Sequence, residues 1–142
     1  MAEQMATTIE LINDKVRFTG AMRSNPAITL DYFPPIGDGE GYTGLELLLM
    51  SFAGCSATAI VTLMRKMRKT VAGFAVNATG IRREQLPTAF ETISLEFVLR
   101  SPDAEHADMR KAIQLAEETY CPVWAMLRNN VTVTTDFKIL AP

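Results

Sequence analysis

The sequence has few of the residues that build structural metal sites and disulfide scaffolds. Its 142 residues include two cysteines and one histidine. Two cysteines make too few bridges to staple a domain, and with one histidine they cannot fill a four-ligand zinc site without carboxylates. Both classes of structural site are therefore excluded, and the position of the two cysteines has to indicate their task.

A basic excess and a leader segment are also absent. Fourteen Lys and Arg stand against sixteen Asp and Glu, for a formal net charge of −2, whereas phosphate binding favours a clear surplus of cations. Residues 1–14 have neither a basic start nor a long apolar run, so we expect no secretory signal and a cytoplasmic location. The 48% hydrophobic fraction is sufficient for a core. We predict one domain over residues 1–142, without a nucleic-acid partner.

One apolar segment, Leu45–Met64, approaches the length of a membrane span. It contains Glu46 and several small polar residues, whereas a lipid-facing span carries few or no charges. We therefore expect a helix buried in protein and no membrane contact. A helix with no obvious solvent face in so short a chain needs a covering sheet, a partner subunit, or both.

Hydrophobic periodicity and turn residues predict an α+β domain with mainly antiparallel strand pairing. Pro and Gly residues indicate a loop over residues 33–44, and Leu86-Pro87 indicates a hairpin turn. Ser101-Pro102-Asp103 has the features of a helix start. The predicted strands cover residues 7–12, 15–19, 27–32, 74–81, 91–100 and 131–140, and the predicted helices cover residues 43–67, 101–119 and 122–128.

Four cations, Arg65, Lys66, Arg68 and Lys69, follow the long predicted helix. Cations at this position complement the negative end of the helix dipole, so a solvated helix C-terminus is the favoured interpretation. A site for an anion is the alternative.

The two cysteines lie in different predicted elements. Cys55 shares a helix face with Ser51, Thr58 and Thr62, and this polar stripe could hydrogen-bond a thiolate. Cys121 precedes a proline and is expected to cap the short helix, whose N-terminus stabilises a thiolate. Two such thiols can form a redox pair, in which one becomes a sulfenic acid and the other resolves it as a disulfide. The alternative is a buried packing cysteine and an incidental one at a helix break.

The segments around both cysteines resemble those of the OsmC/Ohr (osmotically inducible and organic hydroperoxide resistance) family. Residues 45–55, LELLLMSFAGC, are similar to the central-helix signature of that family, and residues 118–123, ETYCPV, are similar to its second cysteine motif. Residues 80–82 and 87–90 match its pattern as well. The motif spacing is more similar to that of the OsmC-like, YhfA-type branch.

This resemblance implies an OsmC-like fold, with antiparallel sheets wrapped around long central helices in an intertwined homodimer. It implies thiol-dependent peroxide reduction without metal or flavin, with Cys55 as the peroxidatic residue and Cys121 as the resolving residue. A dithiol or a lipoylated protein would regenerate the thiols. The apolar surroundings of Cys55 favour alkyl or fatty-acid hydroperoxides over hydrogen peroxide. A protein that binds a lipid-like ligand and a redox sensor, both on the same fold, are the alternatives.

The organic-peroxide branch of the family also pairs a Glu, ten residues before the first cysteine, with an N-terminal Arg. In this chain Leu45 occupies that position and Glu46 lies nine residues before Cys55, a separation that turns an ideal helix by about 180°. Arg17 and Arg23 are both candidates for the Arg. The resemblance therefore indicates Glu46 and Arg23 as catalytic residues beside the two cysteines, with Arg17 as the alternative Arg.

Overall fold

The computed structural model describes residues 2–142, which divide into a first compact unit ending at Leu48 and a second unit, Leu49–Pro142. The prediction of one domain over residues 1–142 stays a prediction. The strands are β1 (Thr8–Leu11), β2 (Phe18–Ala21), β3 (Ile28–Leu30), β4 (Gly73–Arg82), β5 (Phe90–Arg100) and β6 (Thr132–Leu140), and the α-helices are α1 (Gly44–Lys66), α2 (His106–Leu115) and α3 (Pro122–Leu127).

The first unit contains an antiparallel sheet in the order β1-β2-β3. Strand β2 begins at Phe18, later than predicted, because the Asn13 side chain holds the preceding residues in a turn. Its oxygen accepts hydrogen bonds from the N–H groups of Lys15 and Arg17, each at 3.0 Å. An Asn side chain that bonds nearby backbone in this way stabilises a turn in place of a strand.

The second unit contains a sheet in the order β4-β5-β6. Strands β4 and β5 form the predicted antiparallel hairpin, whereas β5 and β6 are parallel. Three of the four strand pairings in the described residues are antiparallel, which confirms the predicted majority. Parallel strands need a long crossover connection, which the helical segment between β5 and β6 provides.

The first of those helices begins later than predicted. The Ser101 hydroxyl accepts hydrogen bonds from the N–H groups of Asp103 and Ala104, but only as a local turn. The Asp103 carboxylate accepts from the N–H group of Thr70 at 2.8 Å and from its hydroxyl at 3.0 Å. These bonds tie the segment to the chain that follows α1. Helix α2 therefore starts at His106. The Asp108 carboxylate accepts a hydrogen bond from the N–H group of Glu105, the residue just before the helix, at 2.8 Å.

The end of this helix also differs from the prediction. Helix α2 stops at Leu115, and Ala116–Tyr120 forms a π-helical turn. The N–H group of Cys121 donates to the carbonyl of Ala116 at 2.9 Å, which closes that wider turn. The break before Pro122 is confirmed, but the last turn before it is not α-helical.

The long helix α1 confirms the predicted segment within one residue at each end. Its buried residues recur at helical spacing along one face: Phe52, Ser56, Ile60, Leu63 and Met64. By length and composition α1 could span a membrane, yet only 28% of its most apolar window is buried in this chain. Much of the helix surface is therefore available for a further covering layer.

The core of the second unit lies between the buried face of α1, the inner face of β5, and the segment from α2 to α3. Strand β5 alternates as predicted, with Ile93, Leu95, Phe97 and Leu99 at most 1% exposed. Two small sheets with three α-helices confirm the predicted α+β class.

Candidate active site

The two cysteines meet in the second unit, although 66 residues (121 − 55) separate them in the sequence. Cys55 lies on α1 and is half-buried, whereas Cys121 precedes α3 and is only 3% exposed. The Cys121 thiol is close enough to the Cys55 sulfur to raise its pKa. Both are free thiols. The partly exposed thiol of Cys55 and the buried thiol of Cys121 are therefore neighbours.

The position of Cys121 follows from the sequence around it. The residue before a proline avoids the α conformation, and Cys121 has extended backbone angles, φ −94° and ψ 104°. It therefore ends the π-helical turn and starts α3. Its sulfur accepts a hydrogen bond from the N–H group of Trp124 at 3.4 Å, which confirms the predicted cap. Short π-helical segments occur often at functional sites, where they change the direction of a chain.

Apolar packing holds α3 against α1 beside the thiols. Phe52 and Trp124 are 0% and 2% exposed, and their rings meet edge to face with centroids 5.4 Å apart. One turn after Phe52, the buried Ser56 hydroxyl lies 3.8 Å from the Cys121 sulfur. Ser56 was not predicted as a site residue, since it lies outside the polar stripe that carries Cys55. The sequence signal that could have identified Ser56 was its hydroxyl group one helical turn after the core residue Phe52.

Burial raises the pKa of the Cys55 thiol above its ordinary value. The N–H group of Val123, at the start of α3, opposes this by donating toward the sulfur, while the Cys121 thiol adds to the rise through a hydrogen bond and its charge. The net effect is a raised pKa. Since the thiolate is the nucleophile, a smaller fraction of Cys55 is reactive at neutral pH than for an exposed cysteine.

A cavity of about 300 Å³ opens beside Cys55. Thr58 and Thr62 of the predicted polar stripe line it, but both hydroxyls donate to backbone carbonyls of α1, of Gly54 at 2.9 Å and of Thr58 at 2.7 Å. The hydroxyl protons of Thr58 and Thr62 are therefore engaged in these backbone bonds and do not point at the Cys55 thiol. The full lining is Cys55, Thr58, Ala59, Thr62, Leu63, Lys66, Tyr120 and Pro122.

The charged residues that the resemblance indicates belong to the first unit. Glu46 accepts a hydrogen bond from the N–H group of Thr43 at 2.8 Å, and the Thr43 hydroxyl accepts from the N–H group of Glu46 at 3.2 Å. This reciprocal pair is a capping box that starts α1. Arg23 lies in the turn between β2 and β3, with a positive φ of 57°. The structure does not test catalytic roles for these two residues, which stay predictions.

Arg17, the alternative, is bound to two carboxylates of the first unit. Its guanidinium lies 3.4 Å from Asp31 and 3.2 Å from Asp38. Asp31 is 4% exposed and accepts hydrogen bonds from the N–H groups of Tyr32, Asp38 and Glu40. Burial by itself would raise the pKa of Asp31, but these three N–H groups and Arg17 outweigh it and lower the pKa. Within the first unit, Arg17 therefore helps to hold a buried carboxylate.

Comparison with known proteins agrees with these features. The family profile described as "OsmC-like protein" matches residues 37–136. Protein YhfA of Escherichia coli strain K12 is 35% identical over 97 residues, which are 68% of this chain and 72% of YhfA.

Solved structures share the fold. An OsmC-like protein from Mycoplasma pneumoniae superposes with a TM-score of 0.83 at 19% identity, over 99% of both chains. A protein from Legionella pneumophila described as an organic hydroperoxide resistance protein OsmC gives 0.74 at 13% identity, over 97% of this chain and 98% of its own. The α+β architecture is therefore the OsmC-like fold, and the chain belongs to the OsmC-like protein family.

Proposed function

We propose that this protein is a thiol-dependent peroxidase that reduces organic hydroperoxides, with Cys55 as the nucleophile and Cys121 as the resolving thiol. The observation that carries the proposal is the pairing of a half-buried Cys55, which lines a cavity, with a buried Cys121 beside it. The Legionella protein that shares the fold carries a hydroperoxide-resistance name, and this supports the same chemistry.

The proposed cycle has three balanced steps. The Cys55 thiolate attacks the terminal oxygen of ROOH, the O–O bond breaks, and the released alkoxide takes a proton to leave as ROH. The Cys121 thiol then attacks the sulfur of the Cys55 sulfenic acid, which forms a disulfide and releases water. A dithiol reduces that disulfide and is itself oxidised to a cyclic disulfide. A small dithiol or a lipoylated protein is the proposed reductant.

The surroundings of the two sulfurs support this division of roles. A nucleophile has to meet substrate, and Cys55 faces the cavity, whereas Cys121 is nearly inaccessible. The N–H group of Val123 acts on the Cys55 sulfur, and that of Trp124 donates to the Cys121 sulfur. Successive backbone amides at the start of α3 thus act on the two sulfurs, and that of Val123 favours the Cys55 thiolate. The apolar part of the cavity, Ala59, Leu63 and Pro122, fits an alkyl group better than water.

The test is consumption of cumene hydroperoxide by the purified protein with dithiothreitol as reductant. We expect Cys55→Ser to lower the rate by roughly a thousandfold or more, as for loss of other catalytic nucleophiles. Cys121→Ser is the matched control, because it keeps the nucleophile and should accumulate the Cys55 sulfenic acid, which dimedone traps. Turnover that survives loss of both thiols would overturn the proposal.

We propose further that the active form is a homodimer in the cytoplasm, where reduced thiols persist. Little of α1 is buried in one chain, and the first unit leaves Ile9, Ile28 and Phe33 about half exposed. Apolar surface of this extent favours burial against another protein. Sedimentation equilibrium should give about twice the 15.7 kDa chain mass, and a monomer at micromolar concentration would contradict the dimer.

A ligand-binding protein is the second candidate, and the raised pKa of Cys55 favours it. A thiol held mainly in its neutral form suits a packing role in a lipid-like binding cavity. In that case, a co-purifying acyl ligand would remain bound in Cys55→Ser, and the wild-type protein would consume no hydroperoxide.

A further inference from the structure

The cavity beside Cys55 has a cation at its other end. Lys66 lines the same cavity as Cys55, although it lies 11 residues (66 − 55) further along α1. Eleven residues are about three helical turns. Cys55 and Lys66 therefore differ by roughly 20° around the helix axis and lie about 16 Å apart along it. Thr58 and Thr62 fall between them on that face. The cavity therefore follows one face of the helix from the thiol to the ammonium group.

Lys66 is the charged residue among the eight that line this cavity. In residues 2–142 its ammonium group forms no salt bridge within 4 Å, whereas the nearby Lys69 lies 3.5 Å from the Asp108 carboxylate and donates to the Asp103 carbonyl. Lys69 is thus used within the fold, but Lys66 has no anion of its own in the described chain. An exposed cation that lines an otherwise uncharged cavity is suited to the charged end of an anionic ligand.

The distance between the thiol and the ammonium group limits the ligand. Side chains on a helix lean toward its N-terminus, so the Lys66 side chain extends toward Cys55, and we estimate about 10 to 16 Å between ammonium and sulfur. An extended chain advances about 1.2 Å per bond, because an extended residue has three backbone bonds and spans about 3.6 Å. After about 3 Å for the ion pair and about 3 Å between the sulfur and the reacting oxygen, roughly three to eight bonds of extended chain fit between the two groups, and a longer chain bends within the cavity. Ala59, Leu63 and Pro122 offer apolar contacts to such a chain.

We propose that Lys66 determines substrate specificity by binding the carboxylate of a long-chain hydroperoxide whose peroxide group reacts at Cys55. This inference rests on the proposed peroxidase function and deepens it. Lys66 transfers neither protons nor electrons, and its ion pair with the carboxylate places the distant O–O bond at the sulfur. Of the two interpretations of the basic cluster considered from the sequence, this proposal gives Lys66 the alternative one, a site for an anion.

The test compares two probes that differ only in charge, linoleic acid hydroperoxide and its methyl ester, both below the concentration at which they aggregate. The reductant is dithiothreitol, which carries no carboxylate, so a charge effect on the reductant cannot contribute. The variants are Lys66→Met, which keeps the apolar stem, and Arg65→Met. Arg65 is the matched control, because it lies on the same helical turn but does not line the cavity.

The measured quantity is the ratio of kcat/KM for the acid to that for the ester. We expect the wild-type protein to prefer the acid and Lys66→Met to lose roughly fivefold of that preference through the KM for the acid. A partly exposed ion pair accounts for an effect of this size. Arg65→Met should keep the wild-type preference, and added salt should weaken it.

Two outcomes would overturn the assignment of Lys66. One is an acid-to-ester ratio that does not change in Lys66→Met, and the other is an equal loss in Arg65→Met, which would indicate a general field of the helix end. Failure of the proposed function gives a different result, since the wild-type protein would then consume neither the acid nor the ester.

Discussion

In the described residues of the first unit the buried side chains are polar, whereas in the second unit most of them are apolar. Asp31 is 4% exposed while Ile9 and Ile28 are about half exposed; in the second unit Phe52 and Trp124 are at most 2% exposed. Burial of apolar surface is the main favourable term in folding, so the second unit has the more favourable core. The first unit depends on bonds to one carboxylate and, in our proposal, on apolar contacts with a second copy.

The same division separates the functional groups. The thiols and the cavity that holds Lys66 lie in the second unit, while Arg17, Arg23 and Glu46 belong to the first. In our account the second unit provides the redox pair through packing and backbone amides.

Phe52→Ala should give the largest loss of stability, about 3–5 kcal/mol, because it removes a fully buried ring and leaves a cavity. It should also slow disulfide formation, since Phe52 packs on Trp124 and so holds α3 beside the thiols. Denaturant unfolding with two probes measures the first effect. Leu86→Ala is the control, since Leu86 is 88% exposed, and we expect a change within about 0.5 kcal/mol. Equal losses in both variants would contradict the assigned core.

Asp31→Asn should destabilise the first unit in a pH-dependent way. The folded state lowers the pKa of Asp31, so its stabilising contribution is present above the ordinary carboxyl pKa and is lost as the pH falls through the lowered value. Amide exchange in residues 31–42 should therefore be several-fold faster in the variant at pH 7, and the difference should disappear in strong acid.

The matched control for this change is Asp38→Asn. Asp38 forms ion pairs with Lys15 at 2.6 Å and Arg17 at 3.2 Å, but it is partly exposed. Exposed pairs contribute little to stability, so amide exchange should stay close to that of the wild type. A difference for Asp31→Asn that persists in strong acid would show that its carboxylate charge is not the stabilising element.

Cys121→Ala should have the smallest effect, a downward shift in the pKa of Cys55. The variant removes a hydrogen bond and a charge that both raise this pKa, while burial and the Val123 amide remain. The measurement is the pH dependence of Cys55 alkylation by iodoacetamide, followed by mass spectrometry. The wild-type midpoint should lie above that of an ordinary cysteine, and a midpoint below it would mean that a cation or a stronger donor acts on Cys55.

The sequence predicted the elements that depend on periodicity and on proline. Helix α1, the alternating strand β5 and the break at Cys121-Pro122 follow from local patterns, and so does the cap formed by Cys121. The start of α2 was wrong because side-chain bonds to a distant segment hold the residues before it. Asp103 binds Thr70, which lies 33 residues (103 − 70) away in the sequence, and no local pattern predicts such a contact. The π-helical turn likewise had no sequence signal.

The candidate site was predicted only in part, because some of its contacts also depend on residues that are distant in the sequence. The two cysteines could be identified from their motifs, and the cap at Cys121 from the proline after it. The contacts of Ser56 and the N–H group of Val123 could not, because they depend on how α3 lies against α1. Lys66 belonged to a basic cluster that helix electrostatics already explained, and only the shape of the cavity separates it from its neighbours.

Disulfide formation by the reduced protein after one equivalent of cumene hydroperoxide shows whether Cys55 and Cys121 act as a redox pair. Peptide mapping by mass spectrometry identifies the bridged cysteines, and a thiol count gives the extent of oxidation. We expect a Cys55–Cys121 disulfide, the loss of two thiols per chain, and release of one equivalent of the alcohol. Cys55 oxidised to the sulfinic acid with Cys121 still reduced, or two unreacted thiols, would contradict it.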